Sequence, residues 1–376
     1  MNRLKTEMEG VQGNMRQHLP LYLRMKETLL AQIQDGRLKP GDLLPSEREL
    51  GTQYGVSSIT VRRALSELVK EGHVIRQVGV GSFVKSAHRQ TRLGLVVFGF
   101  DENDWRRNRD IFGDLVGGIT SAAWEGDAVF SLIRTSCDTH VGRFLESLIG
   151  ENAYDGLILR TAGDFSRADL APLLRERVPF VLVKRNVEGL GVNSVVVDEF
   201  RGGLLATQHL ISLGHQRIAF VGPTGVSVAK QRYLGYQQAL REANLVADSG
   251  LVQVVPSFTQ ADGYSGTQRV LEHHPTAIFA SADVLAEGCF EACTEAGLQI
   301  PADISVVGHD DYSAALRVRP QLTTVRISYY DLGLRSAKML LEIIGSCLSS
   351  PMHEVLTPTL VVRESSGPVR AVANRR

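Results

Sequence analysis

The sequence predicts an α/β protein in which a small helical N-terminal domain precedes a larger body of doubly wound parallel sheets in two lobes. Three observations predict it. Two short helix patterns and a glycine-tipped hairpin pattern lie before residue 85, a continuous apolar run begins at residue 93, and further apolar runs then alternate with helical patterns. Short buried runs that alternate with helices are typical of βαβ units, whose strands form parallel sheets.

Length and composition set the limits of this fold. The chain has 376 residues, of which 43% are hydrophobic and 22% charged, as in soluble globular proteins, and this is enough for two or three domains. The formal net charge is zero, but residues 1–89 carry 14 Lys and Arg against 9 Asp and Glu, whereas the remainder carries 27 against 32. A basic end on an acidic body favours a nucleic-acid-binding module attached to a body that does not bind DNA.

Several classes of protein are disfavoured at once. Residues 1–19 are polar and lack the apolar core of a signal peptide, so we expect a disordered arm there. No stretch approaches about 18 uninterrupted apolar residues, which argues against a membrane span and for a cytoplasmic location. Cys289 and Cys293 are spaced i and i+4 on a predicted helix without histidines at ligand spacing, so we expect core packing there and no metal site.

Two short helices joined by a tight turn are predicted over residues 46–70, after a leading helix over residues 20–33. Ser46 and Glu49 have the spacing of a capping box, which begins the first short helix, and a glycine ends it. Ser57 is the expected cap of the second helix. This arrangement is typical of a helix-turn-helix motif.

The second short helix separates its residues by face. Its apolar stripe, spaced i, i+3, i+4 and i+7, consists of Val61, Ala64, Leu65 and Leu68. The opposite face carries Ile59, Arg62, Arg63 and Ser66. Arginine can bind guanine bidentately or contact phosphate, and an aliphatic carbon can contact a thymine methyl group, so this face suits a major groove. The alternative is that the two arginines only solvate the helix.

A β-hairpin is predicted directly after this helix, over residues 74–84. Glycines at its tip, Gly79 and Gly81, allow the backbone to approach a phosphate or the floor of a minor groove closely. Helices and hairpin together predict a winged helix-turn-helix domain over residues 20–84. The polar segment 85–91 is expected to be a short linker to the body.

Residues 20–84 resemble the DNA-binding domain of the GntR family of bacterial transcription regulators. The matching motifs are Gly36-x-x-x-Pro40-Gly41-x-x-Leu44-Pro45-Ser46-Glu47-Arg48-Glu49-Leu50, Val56-Ser57-x-x-Thr60-Val61-Arg62-x-Ala64-Leu65 and Gly79-x-Gly81-x-Phe83-Val84. The resemblance implies DNA contacts by Arg48, Ser57, Thr60, Arg62 and, in the wing, Gly79. Ser58 stands where the family usually carries arginine, so we expect a weaker contact there and a different operator. With Ile59 and Arg63, these residues form the candidate DNA-binding set.

The body is expected over residues 92–366, with a tail over residues 367–376. Its predicted strands are 93–98, 128–133, 156–159, 180–183, 194–197, 217–221, 251–255, 277–280 and 304–307. Its predicted helices include 111–123, 141–149, 229–242, 283–296 and 332–344. Two such sets suit two lobes that face a cleft, and in such sheets ligands bind beyond the carboxyl ends of the strands.

The body resembles the effector domain of the LacI and GalR regulators, which share the fold of type I periplasmic sugar-binding proteins. The segments that carry the resemblance are 194–198 (SVVVD), 209–222 (HLISLGHQRIAFVG), 232–236 (RYLGY), 275–280 (PTAIFA), 301–311 (PADISVVGHDD), 322–326 (LTTVR) and 360–365 (LVVRES). A GntR-type domain joined to such a body implies a bacterial regulator of the arabinose-repressor type, acting as a homodimer on double-stranded operator DNA.

Charged residues at predicted strand ends form a candidate effector site. Arg185, Asp198, Asp283 and Asp310 follow or end strands near the cleft, and Arg232 begins a helical segment after a strand. Carboxylates accept and guanidinium groups donate, so together they can bind the hydroxyls of a sugar. The resemblance implies effector contact by Arg185, Arg232 and Asp310. Asp198 and Asp283 either join them or cap helices and brace loops.

Aromatic residues mark a second part of the candidate site. Residues 100–107 are predicted to be a polar loop after the first strand, with Phe100 and Trp105 available to stack on the apolar face of a sugar ring. The alternative is that both rings pack against the lobe, or that the loop is a solvated lid.

These observations lead to one hypothesis and its alternatives. We expect a transcriptional repressor, without catalytic residues, cofactor or metal, that a sugar or sugar derivative controls allosterically from the cleft between the lobes. Within this architecture a nucleobase or another small polar effector is the alternative. A pyridoxal-phosphate enzyme fused to a GntR-type domain is disfavoured, because Lys184, Lys230 and Lys338 are the only lysines beyond residue 89 and none has the setting of a Schiff-base lysine.

Overall fold

A computed structural model describes residues 20–77, 81–84, 90–246, 248–345 and 350–369. The chain forms two compact units that divide between Gln90 and Thr91. The predicted arm, the candidate residue Gly79, most of the predicted linker and most of the predicted tail lie outside the described residues.

The described part of the N-terminal unit contains three helices and a two-stranded antiparallel sheet. The helices are α1 (Leu21–Gln34), α2 (Glu47–Tyr54) and α3 (Ser58–Lys70), and the strands are β1 (Val74–Gln77) and β2 (Gly81–Val84). The predicted helix-turn-helix and hairpin are therefore confirmed. The apolar stripe of α3 is buried in a core that α1, α2 and the hairpin complete, with Leu29, Leu50 and Val84 among its members.

Local capping defines the helix-turn-helix as the sequence predicts. The hydroxyl of Ser46 accepts from the Glu49 amide at 3.3 Å, and the Glu49 carboxylate accepts from the Ser46 amide at 2.8 Å. Gly55 ends α2 in the left-handed conformation, with φ of 63°, which glycine adopts without steric cost. The turn between the two helices is therefore fixed by residues within it.

The first lobe of the second unit is built on a six-stranded parallel sheet in the order β13-β7-β6-β5-β3-β4. Its strands are β3 (Thr91–Phe98), β4 (Ala128–Arg134), β5 (Gly156–Thr161), β6 (Phe180–Val183), β7 (Ser194–Val197) and β13 (His353–Leu356). Its helices are α4 (Glu102–Arg107), α5 (Arg109–Glu125), α6 (Val141–Gly150), α7 (Arg167–Arg175) and α13 (Tyr329–Gly345). Apolar clusters cover both faces of the sheet, as a buried parallel sheet requires.

The second lobe has a sheet in the order β14-β12-β11-β10-β8-β9, parallel except for β14, which pairs antiparallel with β12. Its strands are β8 (Ile218–Gly222), β9 (Val252–Val254), β10 (Ala277–Ala280), β11 (Ser305–Asp310), β12 (Thr323–Arg326) and β14 (Thr359–Val361). Its helices are α8 (Glu199–Ser212), α9 (Ser227–Glu242), α10 (Gln260–Leu271), α11 (Asp283–Glu295) and α12 (Ser313–Arg317), with one 3₁₀ turn at Ser249–Leu251. Cys289 and Cys293 are buried in its core, which confirms the packing role predicted for them.

The chain crosses between the two lobes after β7, after β12 and after β13. Glu199 is the first residue of α8, directly beyond the first crossing, and Tyr329 is the first residue of α13, directly beyond the second. Side chains at both positions therefore lie where the lobes meet.

Two local predictions are wrong. The predicted loop 100–107 contains a helix, α4, because the Asp101 side chain accepts from the Asp104 amide and the Asp104 side chain accepts from the Asp101 amide. Helix α9 begins at Ser227, so Arg232 lies in its second turn and does not begin it. In the described part of the chain no helix has the length and apolar character that a membrane span needs.

Candidate functional site

The exposed side of α3 carries most of the candidate DNA-binding residues. Ser57 caps the helix by accepting from the Thr60 amide at 3.3 Å, and Ser58 is exposed beside it. Ile59 has 76% of its surface exposed. Arg62 pairs with Glu47 at 3.1 Å, and Arg76 of the hairpin pairs with the same carboxylate. One carboxylate therefore holds an arginine of the helix beside an arginine of the wing.

The other two candidate arginines differ in their surroundings. The guanidinium of Arg63 lies over the Tyr22 ring of α1, 3.9 Å from its centroid, and donates to the Tyr22 hydroxyl at 3.3 Å. Arg48 is exposed, and no ion pair to it occurs among the described residues. Arg48 is thus available to a phosphate as it stands, whereas Arg63 is engaged with α1.

A cavity of about 600 Å³ lies between the two lobes of the second unit, at the carboxyl ends of their strands. This volume is typical of small-molecule sites. The charged and aromatic residues that line it are Phe100, Asp101, Asp104, Phe112, Arg160, Lys184, Arg185, Arg232, Phe258, Glu287, Asp310, Tyr312, Arg317 and Tyr329. Of the predicted effector residues, the structure therefore brings Phe100, Arg185, Arg232 and Asp310 to one cavity.

A buried ionic network forms the floor of this cavity. Arg232 donates to Glu199 at 2.7 Å and to Asp310 at 3.0 Å, and its third donor binds the Ser281 carbonyl. Lys184 of the first lobe lies 3.3 Å from Asp310 and 3.6 Å from Glu199, and it donates to the Tyr329 hydroxyl at 2.6 Å. The network therefore joins the first lobe, the second lobe and two of the three crossings.

Mutual attraction keeps the network charged despite its burial. Burial alone would raise the pKa of Glu199, but the charges of Arg232 and Lys184 outweigh it and lower that pKa to about 2. Burial is likewise outweighed at Asp310, whose pKa lies well below its usual range because of Arg232 and Lys184. Burial lowers the pKa of Lys184 to about 8, although both carboxylates oppose the shift. Lys184 is therefore the cation of this network that gives up its proton most readily.

Asp310 keeps one oxygen available for a ligand. Lys184, Arg232 and Tyr329 all donate to its Oδ1, and no described residue donates a hydrogen bond to its Oδ2. A carboxylate held in place by three donors can accept from a sugar hydroxyl through the remaining oxygen.

The guanidinium of Arg185 mainly binds backbone carbonyls of the cavity wall. Its guanidinium donates to the carbonyls of Ala162, Gly163 and Lys184 at 2.6–2.8 Å, and it lies 3.3 Å from Asp164. Three of its five N–H groups are thus already used by backbone. Two donors are left for a ligand.

Asp164 connects the two lobes across the cavity. This first-lobe carboxylate accepts from the Ser227 amide at 2.9 Å and from the Ser227 hydroxyl at 2.5 Å, at the start of α9 in the second lobe. A carboxylate at a helix N-terminus is favoured by the helix dipole. This contact depends on the lobes being close together.

Three predicted effector residues do not line the cavity. Trp105 stacks on Phe112, with ring centroids 3.9 Å apart, and Arg134 covers its other side. Asp198 caps α8 by accepting from the Arg201 amide at 2.9 Å. Asp283 is fully buried and accepts from the Asp311 amide and the Thr324 hydroxyl, so it braces the loop after β11. The capping, bracing and packing alternatives are correct for these side chains.

The sequence analysis missed several residues of the cavity or its network, and four of them carry the argument here. They are Arg160, Lys184, Glu199 and Tyr329. Arg160 and Lys184 occupy strand ends, the position that did identify Arg185 and Asp310, so the same criterion could have found them. Glu199 directly follows Asp198, and nothing in the sequence shows which of the two faces the cavity. Tyr329 begins the last helix, directly after a crossing between the lobes. The sequence does not show to which lobe that helix belongs, so it does not place Tyr329 near the cavity.

Comparison with known proteins agrees with this architecture. A family described as bacterial regulatory proteins, gntR family, matches residues 21–84, and a periplasmic binding protein-like domain matches residues 207–366. The arabinose metabolism transcriptional repressor of Geobacillus stearothermophilus is 30% identical over 366 residues, which cover 93% of this chain and 98% of that repressor.

Solved structures resemble about three quarters of the chain. A LacI family transcriptional regulator from Enterococcus faecium with bound ribose is 29% identical, with a TM-score of 0.64, and the match covers 74% of this chain and 100% of that one. The lac repressor dimer bound to operator and the anti-inducer ONPF is 25% identical, with a TM-score of 0.63, and the match covers 75% and 96%. The chain therefore belongs to the family of bacterial transcriptional regulators, shared with the arabinose metabolism repressor, that join a gntR-type DNA-binding domain to a periplasmic-binding-protein-like domain.

Proposed function

We propose that this regulator is a cytoplasmic repressor whose affinity for operator DNA is controlled by a sugar or sugar derivative bound in the cavity between the lobes. One observation carries the proposal: a buried network of Lys184, Arg232, Glu199 and Asp310 lies at the floor of a cavity of about 600 Å³ and links both lobes. Fixed donors and acceptors of this kind suit a small ligand with several hydroxyl groups. Relatives named for arabinose metabolism or solved with ribose support a sugar.

The proposed mechanism is a coupling between the cavity and a pair of winged domains. A ligand that prefers the closed cavity stabilises the closed arrangement of the lobes by its difference in affinity. In a homodimer, which the lac repressor dimer supports as a precedent, a change in the lobes alters how two winged domains fit two half-sites. Couplings of this type are typically about 1–3 kcal/mol, or roughly 5- to 150-fold in affinity.

Thermal unfolding against a panel of small molecules tests the class of effector. The panel contains pentoses, hexoses, sugar acids, sugar phosphates and nucleobases, because a ligand present at about 100 times its dissociation constant adds roughly 2.7 kcal/mol to the stability. We expect at least one saccharide to raise the unfolding temperature and to release a bound operator. A shift with a nucleobase alone would contradict the proposed ligand class.

Truncation of Arg62 tests the DNA-binding surface. We expect Arg62→Ala to weaken operator binding by about 1–3 kcal/mol, because the exposed α3 face loses the guanidinium that we assign to a base or phosphate. The operator is selected from a random duplex pool with the whole protein, and binding is followed by fluorescence anisotropy.

Arg37→Ala is the matched control for this prediction. Arg37 is an exposed arginine of the same unit, outside the helix-turn-helix, and it pairs with Asp35 at 2.6 Å. Both variants lose one positive charge. An equal loss of affinity in the two variants would show that only overall charge matters and would remove Arg62 from the proposed interface.

A further inference from the structure

Arg160 is the one cation of the cavity floor, within the described residues, that has no carboxylate at ion-pair distance. It lies on β5, its side chain lines the cavity, and only 7% of its surface is exposed. Nη1 donates to the Thr161 carbonyl at 2.6 Å, but the buried Nε has no hydrogen-bond partner in the described part of the chain. A buried charge without a partner is unusual, since its lost hydration is not replaced.

Other groups nearby do not balance this charge. Four cations line the floor, namely Arg160, Lys184, Arg185 and Arg232. Two buried carboxylates, Glu199 and Asp310, are shared by Lys184 and Arg232, and the partly exposed Asp164 lies beside Arg185. Burial and the charge of Asp310 raise the pKa of Asp283 well above its usual range, and its oxygens accept from the Asp311 amide and the Thr324 hydroxyl, outside the cavity lining. Asp101, Asp104, Glu287 and Arg317 also line the cavity, and none of these three carboxylates lies within ion-pair distance of Arg160. Arg160 is therefore the cation of the floor whose charge no described carboxylate meets.

The charge of Arg160 lowers the pKa of neighbouring cations. After burial, the charge of Arg160 is the largest influence that lowers the pKa of Arg185, to about 10, and it also contributes to the lowered pKa of Lys184. The Phe100 ring lies under the guanidinium, with 5.2 Å between the guanidinium carbon and the ring centroid. A ring face attracts a cation more weakly than a carboxylate or phosphate does at the same depth. An anion beside Arg160 would therefore meet an unpaired cation that is already desolvated.

We propose that the effector is a monosaccharide carrying an anionic group, either the carboxylate of a sugar acid or the phosphate of a sugar phosphate, and that Arg160 binds this group. Asp310 then accepts from a hydroxyl of the same molecule through its Oδ2, on the other lobe of the cavity. The inference rests on the proposed function, because it assumes that a saccharide occupies this cavity. Arg160 donates from the first lobe and Asp310 accepts in the second, so a ligand bound by both would hold the lobes together.

Titration calorimetry with matched pairs of ligands tests the inference. The pairs are glucuronate with glucose, galacturonate with galactose, and glucose 6-phosphate with glucose, measured on the full chain. We expect at least one anionic member to bind tenfold or more tightly than its neutral partner. A preference confined to the acids or to the phosphate identifies which anionic group is recognised, and either outcome supports the inference.

Arg160→Met and Arg175→Gln separate the local contact from general charge. Arg175 is an exposed arginine on α7 that pairs with Glu146 and Glu176 and does not line the cavity. We expect Arg160→Met to lower the ratio of the affinity for the anionic member to the affinity for its neutral partner by at least tenfold. Arg175→Gln should keep the full preference. An anionic preference that survives Arg160→Met would overturn the assignment to this residue.

Stability of the ligand-free protein supplies a second measurement. Arg160→Met removes an unpaired buried cation, so we expect it to unfold at the same temperature as the wild type or at a higher one. A clearly lower temperature would show that Arg160 is a structural residue and would overturn the inference.

If neutral sugars bind most tightly and release the operator, the inference fails while the proposed function stands. If no saccharide binds, the proposed function fails as well.

Discussion

Asp310→Asn is expected to lower the free energy of unfolding by about 3–5 kcal/mol and to abolish effector binding. Asp310 accepts from Arg232 at 3.0 Å and from Lys184 at 3.3 Å, and it is 6% exposed. Asparagine preserves the shape but leaves two buried cations with Glu199 as their one remaining counterion in the network. The loss of one partner from a buried ion pair is costly because the other charge is neither hydrated nor neutralised. Urea unfolding at pH 7 and the ligand panel measure the two effects.

Asp248→Asn is the matched control for Asp310→Asn. Asp248 pairs with Arg217 at 3.3 Å on the surface, where both side chains are more than 40% exposed. The same chemical change in an exposed ion pair is expected to cost no more than about 1 kcal/mol and to leave effector binding intact. If the two variants lose similar stability, the buried network does not stabilise the fold more than an exposed ion pair does.

Glu199→Gln is expected to lower the free energy of unfolding by about 3 kcal/mol at neutral pH, with a difference from the wild type that disappears in acid. Burial opposes ionisation of Glu199, but Arg232 and Lys184 lower its pKa from 4.5 to about 2 in the folded protein. The unfolded chain therefore takes up this proton at a higher pH than the folded chain does. The stabilisation is present above about pH 4.5 and is lost as the pH falls toward 2.

Urea unfolding of wild type and Glu199→Gln at pH 7, 5 and 3.5 measures this dependence. The wild type should lose its advantage over the variant progressively below pH 5. Glu176→Gln, a change at an exposed carboxylate that pairs with Arg175 at 3.0 Å, should follow the wild type throughout. An advantage of constant size across the three pH values would contradict an ionised Glu199 in the folded state.

The N-terminal unit is predictable from sequence because its structure is determined by local contacts. Capping residues, a glycine at the helix end and an apolar stripe all act within a few residues, and α2 and α3 begin directly after the predicted caps Ser46 and Ser57. In the body, the continuous apolar runs identify most strands for the same reason. Asp101 and Asp104 have the spacing of a capping pair, which indicates the helix α4. The polar composition of the segment nevertheless led to the prediction of a loop.

The site is less predictable because it depends on contacts between distant parts of the chain. Lys184 and Asp310 are separated by 126 residues, and Lys184 and Tyr329 by 145. Strand ends give the list of candidates, but they do not show which side chains point into the cavity. Asp198 and Glu199 are adjacent, yet Asp198 caps α8 whereas Glu199 joins the network. Which of the two side chains enters the network depends on the direction in which α8 leaves β7. Asp283 resembles Asp310 in sequence position but lies beneath the loop that follows β11.

Occupation of the cavity is expected to change the affinity of the whole protein for its operator. The most direct test is fluorescence anisotropy on the selected operator duplex, at one fixed salt concentration, with and without the saccharide that gives the largest thermal shift. We expect the saccharide to weaken operator binding about 5- to 150-fold, and the operator to weaken saccharide binding by the same factor. Operator affinity that stays unchanged while the saccharide demonstrably occupies the cavity would contradict this coupling.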